Sequence, residues 1–325
     1  MTRDRLRGWD PYVVALAVTA VALFVVLGAT MPRRFLDPDN FTSMAVQASE
    51  LGMFSIAMTM ALMIGGIDLS TVATANLAAI LAGLAIKSGA GSAWTALALG
   101  VLVALVIGVA AGLVNGLLIA AIEVPAILAT LGTMTLFAGI AFGVTGGSAV
   151  FGLPDPLVDL ANAAPWGVPT PFMLFVLVWL CADVLLRRTA FGEALILIGT
   201  SLRVARFSGI PTGRVIVGTY VASAVIAALA GLVSLLRTNS AHPDYGGSYV
   251  LLSILVAVLG GASVTGGAGR LVGVLWALVI LQTLSTGLGM LLLHVPDGAF
   301  FRDFAWGLLL LVVMVVTARL KARRR

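Results

Sequence analysis

The sequence predicts an all-α protein that crosses a membrane about ten times. Of its 325 residues, 60% are hydrophobic and only 10% are charged, whereas soluble domains carry roughly 25% charged residues. Apolar runs of about 20 residues, the length that spans a bilayer core, recur along the whole chain. No soluble fold has enough interior to bury this much apolar surface. These observations together predict a polytopic membrane protein.

Uncharged stretches mark where the individual spans lie. The second span carries Glu50, and the eighth is short and ends at Gly260 and Gly261. The first apolar run follows a basic N-terminus but is longer than the apolar region of a signal peptide, so we interpret it as a retained span. The ten predicted spans lie near residues 12–31, 43–64, 70–87, 94–121, 125–145, 171–186, 215–236, 250–264, 270–291 and 303–318.

The distribution of Lys and Arg predicts the orientation of these spans. Most of the 19 basic residues fall at the N-terminus, in the loop 187–214 and at the C-terminus. Ten spans place all three segments on one side, so both termini and the 187–214 loop are predicted to be cytoplasmic. Segments 146–171 and 237–249 are then periplasmic loops. Residues 1–325 form one transmembrane domain in this interpretation.

Composition also argues against several classes of function. The net charge of +5 lies outside the apolar runs, so it indicates topology and contact with membrane lipid, not a nucleic-acid partner. The single cysteine, Cys181, cannot form an internal disulfide, and no spacing resembles a metal site. We expect no metal and no cofactor. His242 and His294 stand in separate outer loops without a companion set, so we do not expect an enzyme.

Glycine-rich joints interrupt the apolar runs in both halves of the chain. The first reads GGIDLS, residues 65–70. A glycine pair ends one helix there, and Asp68 or Ser70 can cap the next. Alternatively, Asp68 binds an ion or a substrate, because acids at membrane depth are usually functional; the lack of a charged partner in the sequence favours the cap.

The second joint, GGASVTGGAG at residues 260–269, has a similar pattern, with Ser263 or Thr265 as the candidate cap. Two such breaks in two halves of a chain are typical of a duplicated transporter core. The predicted joint residues are Gly65, Gly66, Asp68, Ser70, Gly260, Gly261, Gly266 and Gly267.

The central loop contains a predicted short helix, SLRVARFS at residues 201–208. Thr200 or Ser201 can cap this helix, and Gly209 and Pro211 can end it. Its surface combines apolar side chains with two arginines. The residues alone leave two interpretations open: the helix enters a groove on a partner protein, or it lies on anionic lipid.

Five motifs in one order resemble the ribose-type permeases of bacterial ABC importers. They are GGIDLS (65–70), NGLLIA (115–120), ATLGTMTLFAGIA (129–141), RRTAFGEALILIGTSLRVARFSGI (187–210) and LVAVLGGASVTGGAG (255–269). The resemblance covers roughly residues 45 to 315. It implies a sugar or sugar-like cargo, such as a pentose, hexose or polyol, and a place in the bacterial cytoplasmic (inner) membrane.

The same resemblance implies several partners. Such a permease pairs with a second permease subunit, identical or different, over two cytoplasmic ATPase domains. A periplasmic or lipid-anchored binding protein delivers the solute. The sequence departs from the family at the start of the central helix, where Leu202 and Arg203 replace the usual polar or acidic residues, and it has no acid from 245 to 269. The identity of the sugar therefore stays open.

Candidate functional residues follow from this assignment. The chain has no GxxxxGK[ST] phosphate loop, so ATP hydrolysis is expected in a partner chain. The resemblance places coupling to that ATPase at Phe191, Gly192, Leu202, Arg203, Ala205, Arg206, Phe207 and Gly209. A sugar needs hydrogen bonds and an aromatic face, so the candidate translocation path comprises Asn76, Asn115, Thr130, Thr133, Phe137, Trp276 and Gln282. The alternative for each is ordinary packing between helices.

Three other classes compete with this hypothesis. An ion-coupled secondary transporter usually carries ionisable groups in mid-span, whereas Glu50, Glu123 and Asp183 fall near predicted span ends. A branched-chain amino acid ABC permease has a similar layout, but the GGIDLS joint favours the sugar branch. A membrane enzyme would need a catalytic cluster that the sequence does not offer.

Overall fold

The structure, a computed structural model, describes residues 11–89, 91–292, 301, 304 and 306–308. Short strands β1 (Val150–Phe151) and β2 (Ser240–Ala241) pair antiparallel, and Pro165–Gly167 forms a 3₁₀ turn. The α-helices in the described residues are α1 (Pro11–Thr30), α2 (Pro32–Phe35), α3 (Pro38–Met63), α4 (Thr71–Ser88), α5 (Ala93–Ala120), α6 (Ala126–Thr145), α7 (Asp155–Asn162), α8 (Thr170–Arg188), α9 (Ala190–Thr200), α10 (Leu202–Phe207), α11 (Thr212–Thr238), α12 (Tyr249–Leu259) and α13 (Leu271–Leu291).

The described helices confirm a polytopic all-α membrane protein. Eight of them, α1, α3, α4, α5, α6, α8, α11 and α13, are long and apolar enough to cross a bilayer, and they match the predicted spans one to seven and nine. The predicted eighth span is α12, whose 11 residues extend about 16 Å, roughly half of a bilayer core. The predicted tenth span, 303–318, falls almost wholly outside the described residues.

Helix α11 forms the centre of the described bundle. It packs against α3, α4 and α5, running antiparallel to α3 and α5 and parallel to α4. The approach to α4 is so close that a Cβ added to Gly231 would lie 2.1 Å from the Ala75 carbonyl oxygen. By contrast, α1, α5, α6 and α8 bury only 22–28% of their most apolar windows, so they form the periphery.

Glycines on one face of α5 allow its contact with α11. Gly108, Gly112 and Gly116 are spaced four apart and face Val225, Val221 and Val217. A Cβ added to Gly112 would lie 2.4 Å from the Val221 Cα. Small residues at this spacing let two membrane helices approach backbone to backbone, which maximises van der Waals contact where lipid gives no hydrophobic drive.

The connections between helices lie on two opposite sides of the bundle. The side that bears α9, α10 and the α5–α6 turn, which we call the α10 side, also contains both glycine joints. The opposite side, which we call the α7 side, contains α2, α7 and the β1–β2 pair. There the Lys87 Nζ donates to the Phe151 carbonyl oxygen at 2.8 Å. Segments 146–171 and 237–249 therefore share one side; which side faces the cytoplasm stays a prediction.

We expect Gly112→Ala to destabilise the bundle by about 1–3 kcal/mol, because the added methyl group forces α5 away from α11. Thermal unfolding in detergent, followed by the loss of the monodisperse peak in size-exclusion chromatography, measures this. Gly139→Ala on α6 is the control, since nothing lies within 4 Å of that position. Equal unfolding temperatures for the two variants would contradict the close α5–α11 contact.

Candidate functional site

The chain between α8 and α11 forms an arm of two short helices on the α10 side. A single residue, Ser201, ends α9 and caps α10: its backbone is extended, and its Oγ accepts a hydrogen bond from the Val204 amide at 3.3 Å. Gly209, with φ +75°, follows α10, as is typical of a helix end at glycine. The predicted helix at 201–208 is therefore confirmed, with Ser201 as its cap.

Helix α10 presents apolar side chains to the outside. Phe207 is 87% exposed, Val204 is 51% exposed and Leu202 is 38% exposed. Ala205 alone of its residues is fully buried and belongs to the main hydrophobic core. Exposed apolar side chains this close together indicate a surface that another molecule covers.

The arginines of α10 are available for charged contacts. Arg206 Nη2 lies 3.3 Å from Glu123 Oε1 in the α5–α6 turn, and both side chains are largely exposed. An ion pair so exposed contributes at most about 1 kcal/mol, so a partner can compete for either group. Arg203 is also exposed. The face of α10 thus combines an apolar ridge with two guanidinium groups.

Besides Ala205, two of the predicted coupling residues, both on α9, pack against the rest of the protein and anchor the arm. Phe191 packs against Gly218 of α11, where an added Cβ would lie 3.2 Å from its ring. Gly192 is buried at the α8–α9 corner, where a Cβ would lie 2.0 Å from the Leu186 carbonyl oxygen. These residues position α9, whereas the α10 residues other than Ala205 face outward.

Both glycine joints meet the end of α9. The Gly267 amide donates to the Met63 carbonyl oxygen at 2.9 Å, which links the second joint to the last turn of α3. Gly199 of α9 lies against both groups, and a Cβ there would lie 1.9 Å from that oxygen. Gly65 has φ +82° and Gly266 has φ +84°, a backbone region that favours glycine. The end of α3, the end of α9 and the loop of the second joint therefore contact one another through backbone atoms at Met63, Gly199 and Gly267.

The first joint is held by Asp68, which is 1% exposed. Asp68 Oδ1 accepts hydrogen bonds from the Ser70 amide at 3.0 Å and the Ser70 hydroxyl at 2.6 Å. Ser70 stands at the N-cap of α4, but its side chain makes no capping bond. Asp68 Oδ2 and the Tyr220 hydroxyl have no hydrogen-bond partner among the described residues. The carboxylate thus fixes the turn that begins α4.

The second joint differs from its prediction. The sequence offers Ser263 or Thr265 as the cap of the following helix, but α13 begins only at Leu271, after Arg270, with no side-chain cap. The two hydroxyl oxygens lie 3.0 Å apart within the loop instead. The prediction was wrong because the loop closes on itself: the Ser263 amide donates to the Ala268 carbonyl oxygen at 2.9 Å.

Three predicted path residues form one buried network with the first joint. Asn115 Nδ2 donates to the Ser70 Oγ at 2.8 Å, and Asn115 Oδ1 accepts from the Thr133 hydroxyl at 2.6 Å. Thr130 Oγ1 donates to the Ile67 carbonyl oxygen at 2.9 Å. The network ties α5 and α6 to the start of α4, which is the interhelical role that the sequence offered as the alternative.

The remaining path candidates lie apart from this network. Asn76 Nδ2 donates to the Pro243 and Tyr245 carbonyl oxygens, at 3.0 and 2.9 Å. Gln282 Nε2 lies 3.3 Å from Gln47 Oε1, between α13 and α3. Phe137 is buried in the second hydrophobic cluster, and Trp276 packs partly buried beside α1. The structure does not bring the seven candidates together, and a path role for them stays a prediction.

Sequence reasoning missed a buried ion pair on the α7 side. Glu50 lies in the middle of α3, not near its end, because α3 begins at Pro38. Glu50 Oε1 accepts bonds from the Arg237 Nε at 3.0 Å and Nη2 at 2.8 Å. Glu50 Oε2 accepts from the Tyr245 and Tyr249 hydroxyls at 3.1 and 3.4 Å. We call these four residues the Glu50 cluster.

The Glu50 cluster fixes the 239–248 loop onto α3. Burial, together with the Glu50 carboxylate, raises the pKa of Tyr245 above its usual value, so its hydroxyl remains a hydrogen-bond donor at physiological pH. Both oxygens of Glu50 are fully engaged. An acid in mid-helix is what a secondary transporter would carry, but this one is occupied by its own partners. The only signal in the sequence was an acid and a base on two apolar runs.

Groups that could bind a metal ion are not found among the described residues. The chain therefore offers an arm with an exposed helix, two linked joints and a set of buried polar contacts between helices. Helices that break at glycine-rich joints in both halves of the chain are typical of transport subunits.

Comparison with known proteins gives the class. A protein family described as "Branched-chain amino acid transport system / permease component" matches residues 40–318. The chain belongs to this family of ABC importer permeases and is a multi-pass protein of the bacterial inner membrane. The resemblance to importer permeases is thereby confirmed. No solved structure was found to match the chain.

The curated relatives of this chain carry more specific names than the family does. The chain is 34% identical to the "Autoinducer 2 import system permease protein LsrC" of Yersinia enterocolitica, over 93% of this chain and 81% of the relative. It is 33% identical to the LsrD permease of Escherichia coli K12, over 95% of this chain and 91% of the relative. The LsrD permease of Photorhabdus luminescens is 32% identical, over 87% and 84%.

We expect Glu50→Ala to cost about 3–5 kcal/mol, because it leaves the Arg237 guanidinium without its buried partner. The yield of monodisperse protein and its unfolding temperature measure the loss. The double variant Glu50→Leu/Arg237→Leu is the matched control, since it removes both charges and should recover part of the stability. A double variant as unstable as the single one would show that the pair does not act as a unit.

Asp68→Asn should leave folding and uptake within about threefold of the parent, because the amide oxygen still accepts both bonds from Ser70. Asp68→Leu should lower the folded yield, since two buried donors of Ser70 lose their acceptor at about 1–3 kcal/mol each. Expression level and uptake are measured side by side. Loss of uptake in Asp68→Asn at full expression would instead make Asp68 a ligand for the transported solute or for an ion.

Proposed function

We propose that this chain is the membrane-spanning subunit of an importer for a small sugar-like solute of the autoinducer 2 type, driven by ATP that a partner subunit hydrolyses. The observation that carries the proposal is the α9–α10 arm. Its α10 helix is capped, anchored through Ala205 and Phe191, and otherwise exposed. A rigid helix that projects apolar side chains from a membrane protein fits a groove on a soluble partner.

The α10 helix fits a protein groove better than a lipid surface. Phe207 and Val204 are exposed on a helix of only six residues, which is too short for a stable amphipathic helix on a membrane. Contacts within the chain instead preset its conformation, so docking into a partner orders few additional residues. We assign this partner as the ATPase.

This assignment also sets the orientation. If the ATPase docks on α10, the α10 side faces the cytoplasm, in agreement with the Lys and Arg bias of the sequence. The 146–171 and 237–249 segments then face the periplasm, where a solute-binding protein delivers the cargo. Trp166, which is 91% exposed on the α7 side, would meet the periplasm or that protein.

The translocation path is proposed to lie on the outer face of α6, against a second permease subunit. Its inner face, with Thr130 and Thr133, is already occupied by hydrogen bonds to the first joint and α5. The opposite face carries Gly132, Gly139 and Gly143, where an added Cβ would meet no atom of another helix within 4 Å. Two copies facing each other there would form a path with backbone and threonine groups and few charges, which suits an uncharged solute.

Uptake by the complete importer tests the proposed cargo. The tagged permease is purified from its own host together with the proteins that accompany it, and the assembly is placed in vesicles. We expect ATP, supplied on the side of the vesicle membrane that carries the ATPase, to drive uptake of autoinducer 2 or a pentose, and not of leucine. Uptake of leucine instead would support the branched-chain amino acid alternative, and uptake that survives ATP removal but stops with an uncoupler would refute the proposal.

Phe207→Ser should weaken assembly with the ATPase by roughly tenfold or more, because the buried anchor of an interface commonly contributes about 2 kcal/mol. Co-purification of the ATPase with the permease measures assembly, and the unfolding temperature of the permease alone should not change. Trp166→Ser is the matched control, an equally exposed aromatic residue on the opposite side. Normal assembly in Phe207→Ser would remove α10 as the docking helix.

A further inference from the structure

We propose that Met63, Gly199 and Gly267 form a rigid junction that makes the two helix breaks move as one unit with the α9–α10 arm. The inference rests on the proposed function, since it concerns how the docking of an ATPase reaches the spans. It assigns a positioning role to the Met63 carbonyl group and to Gly199, which lies within the 187–210 motif but was not among the candidate functional residues.

The contacts within this junction are between backbone atoms. A hydrogen bond of 2.9 Å joins the Gly267 amide to the Met63 carbonyl oxygen. A Cβ added to Gly199 would lie 1.9 Å from that oxygen and 2.4 Å from the Gly267 nitrogen. Gly199 therefore contacts the hydrogen-bonded pair directly, and no side chain lies between the three segments at this point.

A second set of contacts makes the junction continuous with the first joint. A Cβ added to Gly266 would lie 2.6 Å from the Gly199 carbonyl oxygen and 2.9 Å from the Gly65 nitrogen. A Cβ added to Gly267 would likewise lie 2.6 Å from the Thr200 Oγ1. The end of α9 thus contacts the residues on both sides of the Gly267–Met63 bond.

The loop of the second joint is stiff enough to transmit a displacement. Within this loop the Gly266 amide donates to the Ser263 carbonyl oxygen at 2.9 Å, and the Ser263 amide donates to the Ala268 carbonyl oxygen at 2.9 Å. Side chains packed across a gap can change rotamer and absorb a shift of a few tenths of an ångström. Backbone atoms in direct contact cannot do so, because close-packed groups transmit strain.

The connection to the docking surface is equally short. Ser201 alone separates α9 from α10, and its capping bond fixes the angle between them. A partner that pulls α10 therefore displaces α9, and α9 displaces the end of α3 and the loop before α13 together. Each helix break contains a glycine with positive φ, Gly65 in the first joint and Gly266 in the second. The backbone at these glycines can accommodate a change in chain direction. The junction couples the two helix breaks to the α9–α10 arm.

A covalent link between α9 and the loop of the second joint tests whether the junction stays closed during transport, and it does not weaken the contacts of the junction. Thr200 and Ala268 are exposed beside the contact, so Thr200→Cys/Ala268→Cys in a Cys181→Ser background is joined by a short bifunctional thiol reagent in the complete importer. Because the junction does not open during transport, ATP-driven uptake should stay within about twofold of the same protein without reagent. Loss of uptake on linking would overturn the proposal.

The complementary variant opens the junction. Gly199→Ala places a methyl group into the Met63 carbonyl, so uptake should fall about tenfold while the importer still hydrolyses ATP. Gly289→Ala on α13, where nothing lies within 4 Å, is the matched control and should transport normally. Normal uptake in Gly199→Ala would also overturn the junction. If Gly199→Ala fails to fold, the covalent link still decides.

The unmodified importer separates two kinds of failure. If it takes up no solute on addition of ATP, the proposed function fails and the junction has no transport cycle to serve. If it transports normally and only the linked or Gly199→Ala protein departs from expectation, the junction alone is wrong.

Discussion

The hydrogen bond from the Gly267 amide to the Met63 carbonyl is the interaction on which the arrangement of the bundle depends. A helix inside a membrane can be interrupted only where the freed backbone groups find partners within the protein. The last turn of α3 leaves carbonyl groups without intrahelical partners, and the loop after α12 supplies a donor for one of them. Each helix break therefore stabilises the other, and neither can move without the other adjusting.

Two polar clusters hold the helices around this interaction at different depths. On the α10 side, Asp68 and Ser70 connect through Asn115 to α5 and α6. On the α7 side, the Glu50 cluster joins α3, α11 and the start of α12. Between them, most contacts are made by glycine, alanine, methionine, aliphatic and aromatic groups, with one hydrogen bond from the Ser223 hydroxyl to the Ala57 carbonyl oxygen. The polar contacts that fix the helices relative to each other are thus concentrated toward the two ends of the bundle.

The periphery of the chain suits a subunit of a larger assembly. Helices α1, α5, α6 and α8 are mostly exposed in the isolated chain, and their exposed faces are apolar, as lipid or another subunit requires. The α10 helix is different, since it lies at one end of the bundle, is six residues long and still exposes apolar side chains. In the proposed function lipid covers the exposed faces of the long helices, and a partner protein covers α10.

The sequence by itself determined the class of protein, the approximate positions of nine of its apolar helices, the short helix at 201–208 and the glycine breaks, although it placed the start of α3 near residue 43 instead of at Pro38. These features arise from local properties, namely hydrophobic length, capping and the freedom of glycine. Only the tertiary structure decided which polar groups pair. Glu50 and Arg237 lie 187 residues apart. Asn115 binds Ser70 of the first joint and accepts a hydrogen bond from Thr133. Gly199 meets Met63 and Gly267 through its backbone, and no property of a single residue announces a contact between chain segments that are distant in sequence.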